Sequence, residues 1–194
     1  MCWILAHCLY RLKVQGRSNI PLSGPAVLVC NHVTYVDWLI ISSATQRPIR
    51  FVMHYSFLNI PLTGRIFRNA KVIPIAGSRE NSSILDAAFD RISEELRAGE
   101  IVCIYPEGQL TQDGNLNPFR NGIERIIQRD PVPVIPTALQ GLWGSLFSRK
   151  HRRLGQKWRH NKLWSRVELQ IDQPIAPENV SAPLLQVKGA RLLA

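Results

Sequence analysis

No stretch of the chain reaches the ~18–20 consecutive apolar residues that a membrane-spanning helix requires. Cysteine is sparse: Cys2, Cys8, Cys30 and Cys103 form no CxxC pair and no framework spacing, which excludes a disulfide-stapled scaffold and a zinc ribbon. Cys30 and Cys103 sit inside apolar runs and read as reduced, buried thiols of a reducing compartment. The five histidines, His7, His32, His54, His151 and His160, lack ligand spacing with cysteine, so metal chemistry has no motif to rest on. No G-x-S-x-G elbow is present either. In Gly141-Leu142-Trp143-Gly144-Ser145 the serine lies outside the second glycine, which removes the serine-nucleophile reading. The 13 prolines and 12 glycines follow no period, so the chain is neither collagen-like nor of low complexity.

What is present is the composition of a folded protein. Hydrophobic residues make up 45% of 194 and charged residues 20%, enough apolar surface to offset ordering entropy in roughly one domain. Acids are few, 14 against 24 Lys plus Arg, for a net charge of +10. The excess is local. The stretch 147–166 holds eight basic residues (Arg149, Lys150, Arg152, Arg153, Lys157, Arg159, Lys162, Arg166) and no acid, with Trp158 and Trp164 among them. Such a patch suits a polyanionic surface, whether phospholipid headgroups or nucleic acid. The opening MCWILAHCLY is apolar and then meets Arg11 and Lys13. It fits an interfacial helix with Trp3 and Tyr10 at headgroup depth, a helix packed on the protein's own core, or the end of a longer apolar segment.

Apolar runs and helical patterns alternate along the chain. AVLVC (Ala26 to Cys30), KVIPI (Lys71 to Ile75), IVCIY (Ile101 to Tyr105), PVIPTAL (Pro133 to Leu139) and RVELQI (Arg166 to Ile171) read as strands, several buried on both faces. From about Ser82 to Ala98, Ile84, Leu85, Ala88, Phe89, Ile92 and Leu96 recur at three- and four-residue spacing. Ser82 or Ser83 is the expected cap and Gly99 the stop. A second helix is expected over about Asn121 to Arg129, ending before Pro131. This rhythm means α/β, a single central sheet flanked by helices.

Two strand ends carry candidate chemistry. AVLVC runs into NHVTYVD, and residues just past a buried strand stand at the sheet rim where sites are built. A turn after His32 and a helix starting near Asp37 would fold the carboxylate back onto the imidazole. Asp on one ring nitrogen fixes the tautomer and frees the other nitrogen to accept a proton. The second end is YPEGQL, where Tyr105-Pro106 stops a strand, Gly108 permits a tight backbone and Glu107 is presented between them. Each element alone also fits a plain structural role.

Taken as an ordered set, NHxxxxD after a strand, PEG 75 residues beyond His32 after another, and a VIP strand further on, the chain resembles the glycerophospholipid acyltransferases from about Tyr10 to Ile171. The tracts YPEGQLTQDG and GLWGSLFSR resemble the acyltransferase portion of bacterial 2-acylglycerophosphoethanolamine acyltransferases, some of which are fused to a lysophospholipid transporter. The resemblance implies a glycerol-3-phosphate acyltransferase-like fold with a mixed sheet. It also implies an interfacial helix and lead-in over 1–18 ahead of an acyltransferase domain over 19–194. His32 would be the catalytic base and Asp37 the residue that orients it. Glu107, Gly108 and Arg79 would hold the acyl acceptor, and Ile135, Pro136 and Thr137 would shape a pocket.

Two departures both fall on the contact with the acceptor phosphate. Gln109-Leu110 stand where the family often has Thr-Arg, and Arg79 lies two residues out of register with the family's Asp-Arg-like pair. The implied reaction moves a fatty acyl group from acyl-CoA or acyl carrier protein to a lysophospholipid or lysophosphatidate hydroxyl. It needs no bound cofactor and no metal. The implied place is the cytoplasmic face of the inner membrane, bound to its anionic surface and not to nucleic acid. The competing reading is a catalytically idle module that uses the basic stretch to bind membrane or nucleic acid.

Overall fold

The computed structural model describes residues 2–145, 147–148 and 164–194. The elements run α1 (Cys2–Leu9), β1 (Arg11–Gln15), β2 (Ala26–Cys30), α2 (Asp37–Ala44), β3 (Ile49–His54), α3 (Pro61–Asn69), β4 (Ile73–Ile75) and α4 (Ser82–Arg97). They continue with β5 (Ile101–Ile104), α5 (Gly122–Arg129), β6 (Val134–Gln140), β7 (Arg166–Ile171) and α6 (Ala182–Leu193). Seven strands form one sheet in the order β1-β7-β6-β2-β5-β3-β4. All neighbours are parallel except β6 and β7, so the sheet is mixed.

β2 and β5, at the centre of the sheet, are apolar at every residue because both of their faces are covered. Along β2, Leu28 and Cys30 face one layer with α1 and α2, packing with Leu39, Ile40 and Ile41. Val27 and Val29 face the other, with Ala88, Phe89, Ile92 and Leu96 of α4 and Ile123, Ile126 and Ile127 of α5. Burying one such side chain is worth about 1.5–3 kcal/mol, so these two apolar layers, not helix propensity, hold the helices in place. Cys30 and Cys103 are free and fully buried on the adjacent strands β2 and β5, and burial pushes both thiols well above their ordinary range.

Three expectations change. Residues 11–15 are not a lead-in but the edge strand β1, in register with β7 from Arg11↔Arg166 to Gln15↔Gln170. Ala6 and Tyr10 are buried in the main core, so a division after residue 18 does not separate two units. The α4 cap is Asn81, whose side chain accepts the Ile84 amide at 3.1 Å, rather than Ser82 or Ser83. Gly99 does end the helix, at φ 82, a left-handed conformation that costs other residues strain. Of the basic stretch, Arg149, Lys150, Arg152, Arg153, Lys157, Arg159 and Lys162 lie outside the described residues. Among the described residues no helix is long and apolar enough to cross a membrane.

Because β2, β5, β3, β4 and β6 run parallel, their C-terminal ends share one edge of the sheet. That edge gathers residues 31–36, 55–60, 76–81 and 105–108, which are far apart in sequence.

Candidate active site

β2 ends at Cys30, and Asn31 extends its pairing by side chain. The Asn31 amide donates to the Leu139 carbonyl at 3.0 Å and its Oδ1 accepts the Leu139 amide at 2.7 Å. This pins the next residue, His32, at the rim between β2 and β6. The chain then turns through 33–36 into α2, whose first residue is Asp37.

Asp37 is fully buried, and its carboxylate is turned back onto that loop. Oδ2 accepts the Val33 amide at 2.8 Å and Oδ1 accepts the Thr34 hydroxyl at 2.7 Å. The Thr34 amide is shared between both oxygens, at 3.0 and 3.1 Å. Oδ2 also lies 2.9 Å from His32 Nδ1. A carboxylate that already collects these donors is an acceptor, so this geometry selects the tautomer in which the neutral His32 ring carries its proton on Nδ1 and its lone pair on Nε2. The imidazole lies flat on Tyr105, with ring centroids 4.1 Å apart and planes 16° from parallel. Burial pushes the Tyr105 phenol well above its ordinary range, so the surface under the imidazole is uncharged.

Glu107 is 2% exposed. Oε1 accepts the His32 main-chain amide at 2.7 Å, while Oε2 accepts both the amide and the side-chain N–H of Asn117, each at 2.8 Å. The Thr111 amide closes the same loop by donating to the His32 carbonyl at 2.9 Å. Burial pushes the Glu107 carboxyl above its usual range, and the donated hydrogen bonds oppose that shift. In this structure Glu107 joins the β2 and β5 loops, with both oxygens engaged by protein donors. Gly108 follows at φ 67, and a Cβ there would stand 2.9 Å from the Arg120 guanidinium carbon.

The remaining sequence-derived candidates lie apart from this cluster. Ile135, Pro136 and Thr137 sit within β6, paired with Leu28, Val29 and Cys30, and are buried inside the sheet. The end of β6, at the buried Leu139 and the partly exposed Gln140, reaches a cavity. With Asn31, His32, Leu116 and Trp143 they line its volume of about 480 Å³, which extends to the end of α6. Arg79 is exposed on the turn after β4, three strands along the edge from β2, or ~14 Å at the usual strand spacing. A second cleft of about 500 Å³ lies between Ile127, Pro131, Pro177 and Val180 and touches none of these residues. Sequence reasoning passed over Asn31, Thr34, Tyr105 and Asn117. Of these, Asn31 and Thr34 lie within the NHVTYVD tract itself.

A buried carboxylate behind a rim imidazole whose outer nitrogen is free is an arrangement that can accept a proton from a bound hydroxyl. Known proteins place the chain more narrowly. Residues 11–140 match the family model described as Acyltransferase. A chloroplastic 1-acyl-sn-glycerol-3-phosphate acyltransferase of Brassica napus, BAT2, is 31% identical over 139 residues, covering 71% of this chain and 40% of that protein. The mouse 1-acyl-sn-glycerol-3-phosphate acyltransferase alpha is 22% identical over 183 residues, covering 92% of this chain and 61% of that protein. The crystal structure of PlsC, the 1-acyl-sn-glycerophosphate acyltransferase of Thermotoga maritima, has the same fold, with a TM-score of 0.74 at 21% identity over 95% of this chain and 71% of that one. The chain belongs to the glycerophospholipid acyltransferase family. It spans about two fifths of the length of the Brassica relative.

Proposed function

We propose that the protein transfers a fatty acyl group from a thioester to a free glycerol hydroxyl of a lysophosphatidate or lysophospholipid. The observation that carries this reading is the His32–Asp37 pair at 2.9 Å, with Nε2 free at the sheet edge. The acceptor hydroxyl gives its proton to Nε2 as its oxygen attacks the thioester carbonyl. The tetrahedral intermediate then expels the thiolate, and the imidazolium returns the proton to that sulfur. Asp37 stabilises the positive charge that His32 carries between the two steps. Thiolate is a good leaving group, so neither a covalent acyl-enzyme nor a metal is required. The cavity walls at the partly exposed Leu116 and Trp143 supply apolar surface for an acyl chain beside the base.

The relatives' names support lysophosphatidate as acceptor; the YPEGQLTQDG and GLWGSLFSR tracts support a lysophosphatidylethanolamine-type acceptor. The +10 charge and the basic stretch support a place on an anionic cytoplasmic membrane face, which would deliver both lipids to the site. The test is thiol release by purified protein given acyl-CoA or acyl carrier protein and a panel of lysophospholipids. Release dependent on one acceptor headgroup supports the reading and fixes its substrate. No release above the no-acceptor control refutes it, and the binding-module alternative then stands.

A further inference from the structure

We infer that Arg120 binds the acceptor's phosphate, seated there by Gly108; the inference rests on the acyl-transfer reading. Arg120 precedes α5, and its main-chain amide donates to the Pro106 carbonyl at 2.9 Å, which ties it to the loop that carries Glu107. Its guanidinium lies across Gly108, with the carbon and Nε each 2.9 Å from where a Cβ would stand and Nη1 at 3.1 Å. At φ 67 the position also disfavours any side chain on conformational grounds. Glycine is therefore required there twice, once by the backbone and once by the arginine.

The charge on Arg120 is uncompensated. Arg125 and Arg129, on the helix that follows, are paired with Asp86 at 2.8 Å and Asp90 at 2.7 Å, and Arg97 with Asp130 at 2.9 Å. Among the described residues no carboxylate pairs with Arg120, which is exposed. The nearest acid in sequence to the Gly108 turn is Glu107, whose two oxygens already accept N–H groups from His32 and Asn117. Leu110, two residues on, is 5% exposed and belongs to the interior, so this turn supplies no cation of its own.

Gly108 is one Cα step of about 3.8 Å from Glu107, and Glu107 holds the His32 amide at 2.7 Å. The cation and the base thus flank one loop crossing at the same sheet edge. A glycerol phosphate has its reactive hydroxyl and its phosphate on nearby carbons, so base and cation must lie close together. A guanidinium offers a phosphomonoester two parallel N–H donors, which orients the glycerol as well as holding it.

The test is titration of the full chain with sn-glycerol 3-phosphate, with CoA as a second arm because the donor also carries phosphates. Arg120→Gln should weaken sn-glycerol 3-phosphate binding by about 10- to 100-fold, the range for losing a charge-assisted contact, and leave CoA binding unchanged. Arg120→Lys should fall between, since it keeps the charge and loses the fork. Gly108→Ala, which keeps Arg120 but displaces its guanidinium, should also weaken binding. In turnover, Arg120→Gln should raise KM for lysophosphatidate far more than it changes kcat. Wild-type affinity in Arg120→Gln, loss of CoA binding in place of sn-glycerol 3-phosphate binding, or no binding of sn-glycerol 3-phosphate by the wild-type protein at millimolar concentration overturns the inference. Binding that Arg120→Gln abolishes, in a protein that releases no thiol with any acceptor, leaves the phosphate site standing and removes the acyl-transfer reading.

Discussion

Replacing Asp37 by Asn separates two tasks that the carboxylate performs, orienting His32 and stabilising its positive charge. The amide has one acceptor and one donor end. With its oxygen at the Oδ2 position it still accepts from His32 Nδ1 at 2.9 Å and from the Val33 amide at 2.8 Å, and its NH2 meets the Thr34 hydroxyl, which can rotate to accept. Turned the other way, the NH2 would face the Val33 amide and the His32 ring N–H together. A buried group left unsatisfied costs about 1–3 kcal/mol, so the first orientation is strongly favoured. Asp37→Asn should therefore keep the Nδ1–H tautomer while removing the charge. Folding should suffer by about 1–2 kcal/mol, a fall in Tm of roughly 2–8 °C. Turnover should fall by about 10²–10⁴, equivalent to roughly 3–5 kcal/mol of barrier. The assays are thiol release, thermal unfolding, and nitrogen NMR of the labelled His32 ring to identify its tautomer. A folded variant within about threefold of wild-type turnover would refute the assignment of the base. A switched tautomer would refute the orientation argument.

Three further outcomes are expected. His32→Ala should lose about 10²–10⁴ in turnover with little change in Tm, because the ring is partly exposed and the contacts to Glu107 and Thr111 are made by main-chain atoms that alanine retains; a drop in Tm that accounts for the lost activity would assign the residue a structural role. Glu107→Gln must set its NH2 against a donor, either the His32 amide or Asn117, so it should destabilise the protein by about 1–3 kcal/mol and slow turnover through the misplaced base. Burial holds the folded Glu107 carboxyl above its ordinary value, so the wild-type protein loses stability from this group as pH rises through the folded value, while the glutamine does not titrate. The Tm gap between the two proteins should narrow between pH 4 and pH 7, and a gap that widens would contradict the burial argument.

The sequence alone was sufficient for the three strands at the centre of the sheet, β6, β2 and β5. β2 falls at the residues where its apolar run lies, and β5 and β6 within one residue at each end, because a strand covered on both faces needs a nearly continuous apolar run; β7 falls at RVELQI, where buried apolar residues alternate with polar ones. The α4 pattern and its Gly99 stop were legible for the same reason, since burial on one helical face imposes the spacing. The His32–Asp37 pair was legible because a turn and a helix start bring residues five apart together by local geometry.

Tertiary structure decided the rest. β1 (RLKVQ) and β3 (IRFVMH) mix basic and apolar residues, and only their neighbours β7, β5 and β4 make them strands. Glu107 in YPEGQ reads as a solvated turn residue until the His32 loop, 75 positions away, and Asn117 supply the donors that bury it. Ile135, Pro136 and Thr137 carry the motif, but the alignment of β6 with β2 buries them and leaves Leu139 and Gln140 at the cavity. Nothing near Arg120 in the sequence marks it, because its meaning comes from Gly108, twelve residues earlier and across a loop. Periodicity records which side chains must be apolar; the partners of a polar side chain are set by long-range packing, which leaves no period to read.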